Sequence, residues 1–108
     1  MTSQHPLYTR VALAEDLPEY HLKRGEIARI VEHYPMPDGQ EDGYSLEGFD
    51  VPHVTVEVGS SKIISVEQYQ QEEAILIKLR QLSSSRLGQI EDFIDFLLQK
   101  ETSRKEVA

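Results

Sequence analysis

Proline and glycine are distributed unevenly along this chain, and that distribution constrains the fold more than any other feature. All five prolines and five of the six glycines lie before residue 65, together with most of the β-branched residues. After residue 65, only Gly88 interrupts a pattern that is otherwise helical. Proline and glycine are common in turns, and they are unfavourable in the interior of a helix. The sequence therefore predicts an α+β protein, with strands in its first part and helices in its second.

The first part of the chain predicts five short strands. Val54, Val56 and Val58 alternate with polar residues, which is the period of a strand with one buried face. A polar loop, 15–26, separates the first two strands. The predicted strands are residues 8–14, 27–34, 44–49, 53–58 and 62–64. Five short strands with one longer loop favour a small SH3-like β-barrel over residues 1–64, and closure would remove the exposed edges of a flat sheet.

The second part predicts a helical hairpin, 65–108. Ser65 and Gln68 have the spacing of a capping box at the start of a first helix, 67–82. Three serines then break the pattern before a second helix, 84–102, and the tail from Ser103 is predicted to fray. On the first helix one apolar stripe contains Ile75, Leu76, Leu79 and Leu82, whereas Ile77 falls on the polar side.

The second predicted helix has more apolar surface than one neighbour can cover. At 100° per residue its apolar side chains span an arc of about 140°, or about 200° with Phe96, against about 100° for a helix packed on one surface. The barrel, a second copy of the chain or another protein could cover the remainder. The predicted partner-binding residues are Ile77, Ile90, Phe93, Ile94, Phe96 and Leu97.

The charge and composition exclude several classes of partner. The formal net charge of −8 opposes binding to nucleic-acid phosphates and would steer a basic partner towards the chain. No apolar run approaches the roughly 20 residues that span a bilayer, and the first residues lack the basic and apolar segments of a signal peptide. With no cysteine in the chain, we expect a cytoplasmic protein without disulfides.

The motifs that carry chemistry are missing, so we predict no enzyme activity, no metal and no cofactor. Asp38, Asp42 and Gly43 partly match a calcium loop, but Gln40 and Phe49 occupy positions where such a loop carries acidic ligands. No close ligand pairs of a structural metal site occur among the four histidines His5, His21, His33 and His53.

A peptide-binding groove is an alternative site. SH3-like barrels bind extended proline-rich peptides on aromatic grooves. Such a groove could be formed by Tyr8, Tyr20, Tyr34 and Tyr44. The other interpretation of these tyrosines is that most of them belong to the core or its rim.

Two stretches resemble known families. Glu15-Asp16-Leu17-Pro18-Glu19 and Leu22-Lys23-Arg24-Gly25-Glu26-Ile27 resemble a family of small bacterial barrel proteins of unknown function, often companions of toxin–antitoxin or other accessory loci. Leu79-Arg80-Gln81-Leu82 and Asp92-Phe93-Ile94-Asp95-Phe96-Leu97-Leu98 resemble the helical segment of bacterial antitoxins of unknown function, with Ser83 where that family has proline. Neither resemblance implies catalytic residues.

These observations predict a non-catalytic protein–protein interaction module. We expect an antitoxin-like regulator that masks a partner through its C-terminal helices, the partner being a toxin or other protein, a second copy, or both. Phe93 and Phe96 are the expected anchors, because aromatic side chains dominate such interfaces. The alternative is an accessory or structural subunit whose barrel docks on a larger assembly or binds a peptide.

Overall fold

The computed structural model describes residues 5–49 and 55–107, with side chains described through residue 102. Five strands precede two helices, so the predicted α+β class is confirmed. The elements are β1 Arg10–Leu13, β2 Ile27–Tyr34, β3 Gly43–Glu47, β4 Val56–Gly59, β5 Ile63–Ser65, α1 Val66–Leu79 and α2 Ser84–Val107. The strand predicted at 53–58 begins outside the described residues.

The strands form one antiparallel sheet in the order β4-β3-β2-β1-β5. Strand β1 pairs with β2 through Val11 and Ala28, and with the edge strand β5 through Leu13 and Ile63. A short 3-10 turn, Ser60–Lys62, joins the edge strands β4 and β5. No ladder joins these two strands in the described part of the chain, so the sheet is open and the predicted barrel closure is not observed. The edges are only four and three residues long, which leaves little backbone for such a ladder.

The hydrophobic core lies between the sheet and the loop that follows β1. Leu13, Ile30 and Leu46 are almost fully buried, and Leu17 and Leu22 close the loop over them. The backbone N–H of Leu17 donates to the carbonyl of Leu22 at 2.9 Å, and a second bond runs the other way at 3.1 Å. These two bonds pair backbone N–H and C=O groups of the loop that would otherwise be buried against the core without a hydrogen-bond partner.

Helix α1 begins directly after β5, where the sequence places its cap. The N–H of Gln68 donates to the Ser65 hydroxyl at 3.1 Å, as the capping pattern predicts. The helix ends at Leu79 rather than at Leu82. Helix α2 begins at Ser84 as predicted and continues to Val107, so the tail predicted to fray from residue 103 has helical backbone. That tail contains no glycine or proline that would stop the helix.

The chain divides into two compact units, Met1–Glu72 and Glu73–Ala108. Unit 1 contains the sheet and the start of α1, and unit 2 contains the rest of α1 together with α2. The domain boundary predicted between residues 64 and 65 lies within β5, the last strand of the sheet. This boundary stays a prediction. Among the described helices, none is long and apolar enough to cross a membrane.

Within unit 1, the turn between β1 and β2 packs on the first turns of α1. The Arg24 guanidinium lies 4.9 Å from the centre of the Tyr69 ring and contacts the Glu72 carboxylate at 3.4 Å. Gly25, with a φ of +93°, lies directly against the Tyr69 hydroxyl. The turn predicted from Lys23 to Glu26 is therefore where the sheet holds the beginning of the helix.

Candidate functional site

Unit 2 leaves most of its large apolar side chains exposed. Each of them is between 38% and 59% accessible, in a part of the chain that contains only helices. They are Ile75, Ile77, Leu82, Leu87, Phe93, Ile94, Phe96, Leu97 and Leu98. We call this set the apolar surface of unit 2. Large exposed apolar patches mark interaction sites in soluble proteins.

The residues predicted to bind a partner belong largely to this surface. Ile77, Phe93, Ile94, Phe96 and Leu97 are all exposed. The sixth predicted residue, at position 90, is half-buried and is less available to a partner.

Two phenylalanines of the apolar surface, Phe93 and Phe96, lie next to each other on α2. Their ring centres lie 6.3 Å apart with an angle of 24° between the ring planes. The Lys100 ammonium lies 5.3 Å from the centre of the Phe96 ring. A partner that covers this pair would bury two aromatic side chains and part of the lysine stem.

Sequence reasoning missed part of this surface on α1 and in the turn that follows it. Ile75 and Leu82 were predicted to share one apolar stripe with Leu76 and Leu79. Leu76 and Leu79 are half-buried, whereas Ile75 is 50% exposed and Leu82 is 38% exposed. A helical stripe shows which side chains share a face, but it cannot show how wide the neighbour on that face is. No local sequence signal could have identified these two residues.

The two units differ sharply in charge. Unit 1 contains five Lys and Arg residues and thirteen Asp and Glu residues, whereas unit 2 contains six of each kind. The whole net charge of −8 therefore belongs to unit 1. A neutral surface with exposed apolar groups favours association, because no net repulsion opposes the approach of another molecule.

The structure places the four tyrosines of the alternative peptide groove in different environments. Tyr44 is only 1% exposed and belongs to the core, so it cannot offer an aromatic face to a peptide. Its ring stacks on His33 at 4.8 Å. Tyr20 is half-buried against the core, whereas Tyr8 and Tyr34 are exposed. The hydroxyls of Tyr34 and Ser45 are hydrogen-bonded at 2.8 Å.

The acidic turn that partly matched a calcium loop has a structural role. One Asp42 carboxylate oxygen accepts the N–H of Met36 at 3.0 Å, and the other lies 2.9 Å from Nε2 of His33. The Glu41 carboxylate accepts the N–H of Ser61 at 2.8 Å. These bonds hold the β2–β3 connection and the Ser60–Lys62 turn in place.

The histidines offer no metal site in the described part of the chain. His33 pairs with Asp42, and burial lowers the pKa of the His5 imidazole. His21 is exposed and has a φ of +57° just after a 3-10 turn. His53 lies outside the described residues. Within the residues described, no group of three histidine or acidic side chains is close enough to hold a metal ion.

We expect Asp42→Asn to destabilise the protein at neutral pH and to lose that effect in acid. The hydrogen bond with His33, followed by the one from Met36, lowers the pKa of the Asp42 carboxyl below its ordinary value. A carboxyl whose folded-state pKa is lowered stabilises the fold above the unfolded-state pKa, and this contribution disappears as pH falls through the folded-state pKa. Melting temperatures from neutral pH to below about 4 should therefore converge for the two proteins.

The control for this experiment is Glu57→Gln, which removes an exposed carboxylate on β4. Its melting temperature should differ from that of the natural chain by little at either pH. An equal gap between Asp42→Asn and the natural chain at every pH would contradict the assigned role.

The geometry defines a small α+β protein whose sheet carries an appended helical unit. The chain belongs to a family described as a domain of unknown function (DUF4926), whose model matches residues 7–60, half of the 108 residues. This confirms that the sheet region belongs to a family of unknown function; the antitoxin resemblance of residues 73–100 stays a prediction. No curated protein matches the chain. No solved structure matches it either.

Proposed function

We propose that this protein is a non-catalytic interaction module that binds another polypeptide through the apolar surface of unit 2. The exposure of Phe93 and Phe96, at 56% and 52%, is the observation that carries the proposal. Burying one large apolar side chain contributes about 1.5–3 kcal/mol, so leaving several of them in water forgoes a large stabilisation.

The small size of unit 2 also supports binding to another polypeptide. Two helices can cover one stripe on each other, but the apolar side chains of α2 occupy a much wider arc. A second copy of the chain can cover the exposed apolar side chains in the isolated protein, and a foreign partner can compete for the same side chains.

The antitoxin-like role is the more specific part of the proposal. It is supported by the resemblance of residues 79–82 and 92–98 to the helical segment of bacterial antitoxins, and by the exposure of that segment on α2. A regulator of this kind masks a partner by helix-in-groove binding, in which aromatic anchors enter an apolar groove. The anchors here are Phe93 and Phe96.

We also propose that the sheet is an SH3-like barrel that lacks one ladder. Two observations support this relation: β1 pairs with both β2 and β5, and the register of β2 shifts between Ile30 and Glu32. Such a bulge bends a strand and increases its twist. One further ladder between β4 and β5 would close the sheet.

Amide hydrogen exchange at increasing protein concentration tests the interaction surface. We expect the amides of residues 93–98 to exchange more slowly as concentration rises, because a second copy covers this part of α2. The amides of β2 provide an internal control, and their exchange should not depend on concentration. Exchange of residues 93–98 that is the same at all concentrations would contradict the proposal.

A further inference from the structure

Three charged side chains form a row across the middle of the sheet. The register places Arg10 of β1 opposite Arg29 of β2, and Arg29 opposite Glu47 of β3. All three are exposed on the same face of the sheet. Like charges directly opposite each other on neighbouring strands are destabilising, so the Arg10–Arg29 pair is unfavourable for the sheet itself.

This pair is unusual in a unit that is rich in carboxylates. Unit 1 has thirteen acidic residues and only five basic ones. Two of those five, Arg24 and Lys62, form ion pairs with Glu72 and Glu15. Within residues 5–49 and 55–102, neither Arg10 nor Arg29 forms an ion pair. Both arginines are thus exposed to water on directly opposite positions of neighbouring strands, although neutralising groups are abundant in the unit.

A cleft lies at this position. It has a volume of about 320 Å³ and is lined by Arg10, Ile27, Ala28, Arg29, Glu47 and Gly48. Pockets that hold small molecules start at about 300 Å³. The cleft therefore has room for a small ligand beside the two arginines that line it.

We propose that Arg10 and Arg29 bind an oxyanion of the phosphate class in this cleft. Guanidinium groups present a planar fork of donors that matches phosphate oxygens, and two of them can hold one anion from both sides. The anion would also remove the repulsion between the two arginines. Glu47, at the end of the row, repels the anion and favours a phosphate that carries a hydrogen-bond donor nearby, such as a phosphate monoester with a hydroxyl or amino group.

Titration of the full chain with inorganic phosphate, followed by amide chemical shifts in NMR at constant ionic strength, tests this site. We expect saturable shifts of residues 10, 29 and 47, and a Kd at least about tenfold weaker for Arg10→Gln, since hydrogen bonds to charged groups are the strong ones. Glu47→Gln should bind phosphate more tightly. The charge-matched control is Arg86→Gln on α2, which should bind like the natural chain.

Two further measurements keep the test decisive. Without phosphate, Arg10→Gln should melt no lower than the natural chain, because it removes a like-charge pair. O-phosphoserine binding more tightly than inorganic phosphate would identify a monoester as the ligand, and the reverse order would identify the free ion. Shifts that do not saturate, or an equal Kd for the natural chain, Arg10→Gln and Arg86→Gln, would overturn the proposal.

Discussion

Replacing Phe96 with aspartate is expected to abolish association of the protein while leaving the chain folded. Phe96 belongs to the apolar surface and is half exposed, so the charge enters water and not a core. The new carboxylate would also lie four residues before Lys100, an arrangement that stabilises helices by about 0.2–0.5 kcal/mol. In the complex, the same charge would be buried without a partner, which costs several kcal/mol.

The expected loss is therefore large and confined to binding. Truncating an aromatic anchor costs about 2 kcal/mol or more, which is about 30-fold in Kd, and a buried charge adds to this. Sedimentation equilibrium measures the association, and circular dichroism measures the helix content of the dilute protein. Phe93→Asp should behave in the same way.

The matched control is Gln99→Asp, which adds the same charge to an exposed polar position of α2. It should weaken association by much less than Phe96→Asp. Loss of helix content in dilute Phe96→Asp would contradict the proposal, because a side chain at an interface is not needed to fold the monomer.

Gly25→Ala is expected to destabilise unit 1 by about 2–4 kcal/mol, through backbone strain and overpacking together. The glycine has a φ of +93°, and an added Cβ would overlap the Tyr69 hydroxyl and lie 2.6 Å from the ring carbon that bears it. The turn cannot easily move away from Tyr69, because the Gly25 N–H donates to the Leu13 carbonyl at 2.9 Å. Urea unfolding followed by circular dichroism measures the change.

Gly39→Ala separates the two causes. Gly39 has a similar φ of +89°, but an added Cβ there would meet no atom within 4 Å. Gly39→Ala should lower the free energy of unfolding only through backbone strain, by about 1–2 kcal/mol. Adding Tyr69→Ala should make Gly25→Ala less harmful, which is a coupling that a double-mutant cycle reports. Equal losses for Gly25→Ala and Gly39→Ala would show that the contact with Tyr69 does not constrain the turn.

The parts of the fold that follow from local chemistry could be predicted from the sequence. Strand β2 begins and ends where it was predicted, since the turn at Gly25 precedes it and Pro35 follows it. The cap at Ser65 likewise depends on residues three apart. The sequence left Tyr44 open between a groove and the core, because its surroundings are distant in sequence: its hydroxyl accepts the N–H of His5 at 3.3 Å. Barrel closure was not predictable either, since it depends on the relative position of two edge strands.

The candidate site could be predicted only in part, for a related reason. The arc of α2 identified Phe93 and Phe96, because a wide apolar helix exceeds what one neighbour covers. The same method assigned Ile75 to an apolar stripe, although it is half exposed. The row formed by Arg10 and Arg29 was not predicted at all, because it exists only through the pairing of β1 with β2.

The solution mass of the purified chain, measured by light scattering over a concentration series, tests whether unit 2 binds a second polypeptide. We predict a mass that rises from the 12.4 kDa of one chain to twice that value, and that stays at 12.4 kDa for Phe96→Asp. A natural chain that keeps a mass of 12.4 kDa at the highest concentrations, with both helices intact, would contradict it. The apolar surface of unit 2 would then need no second polypeptide.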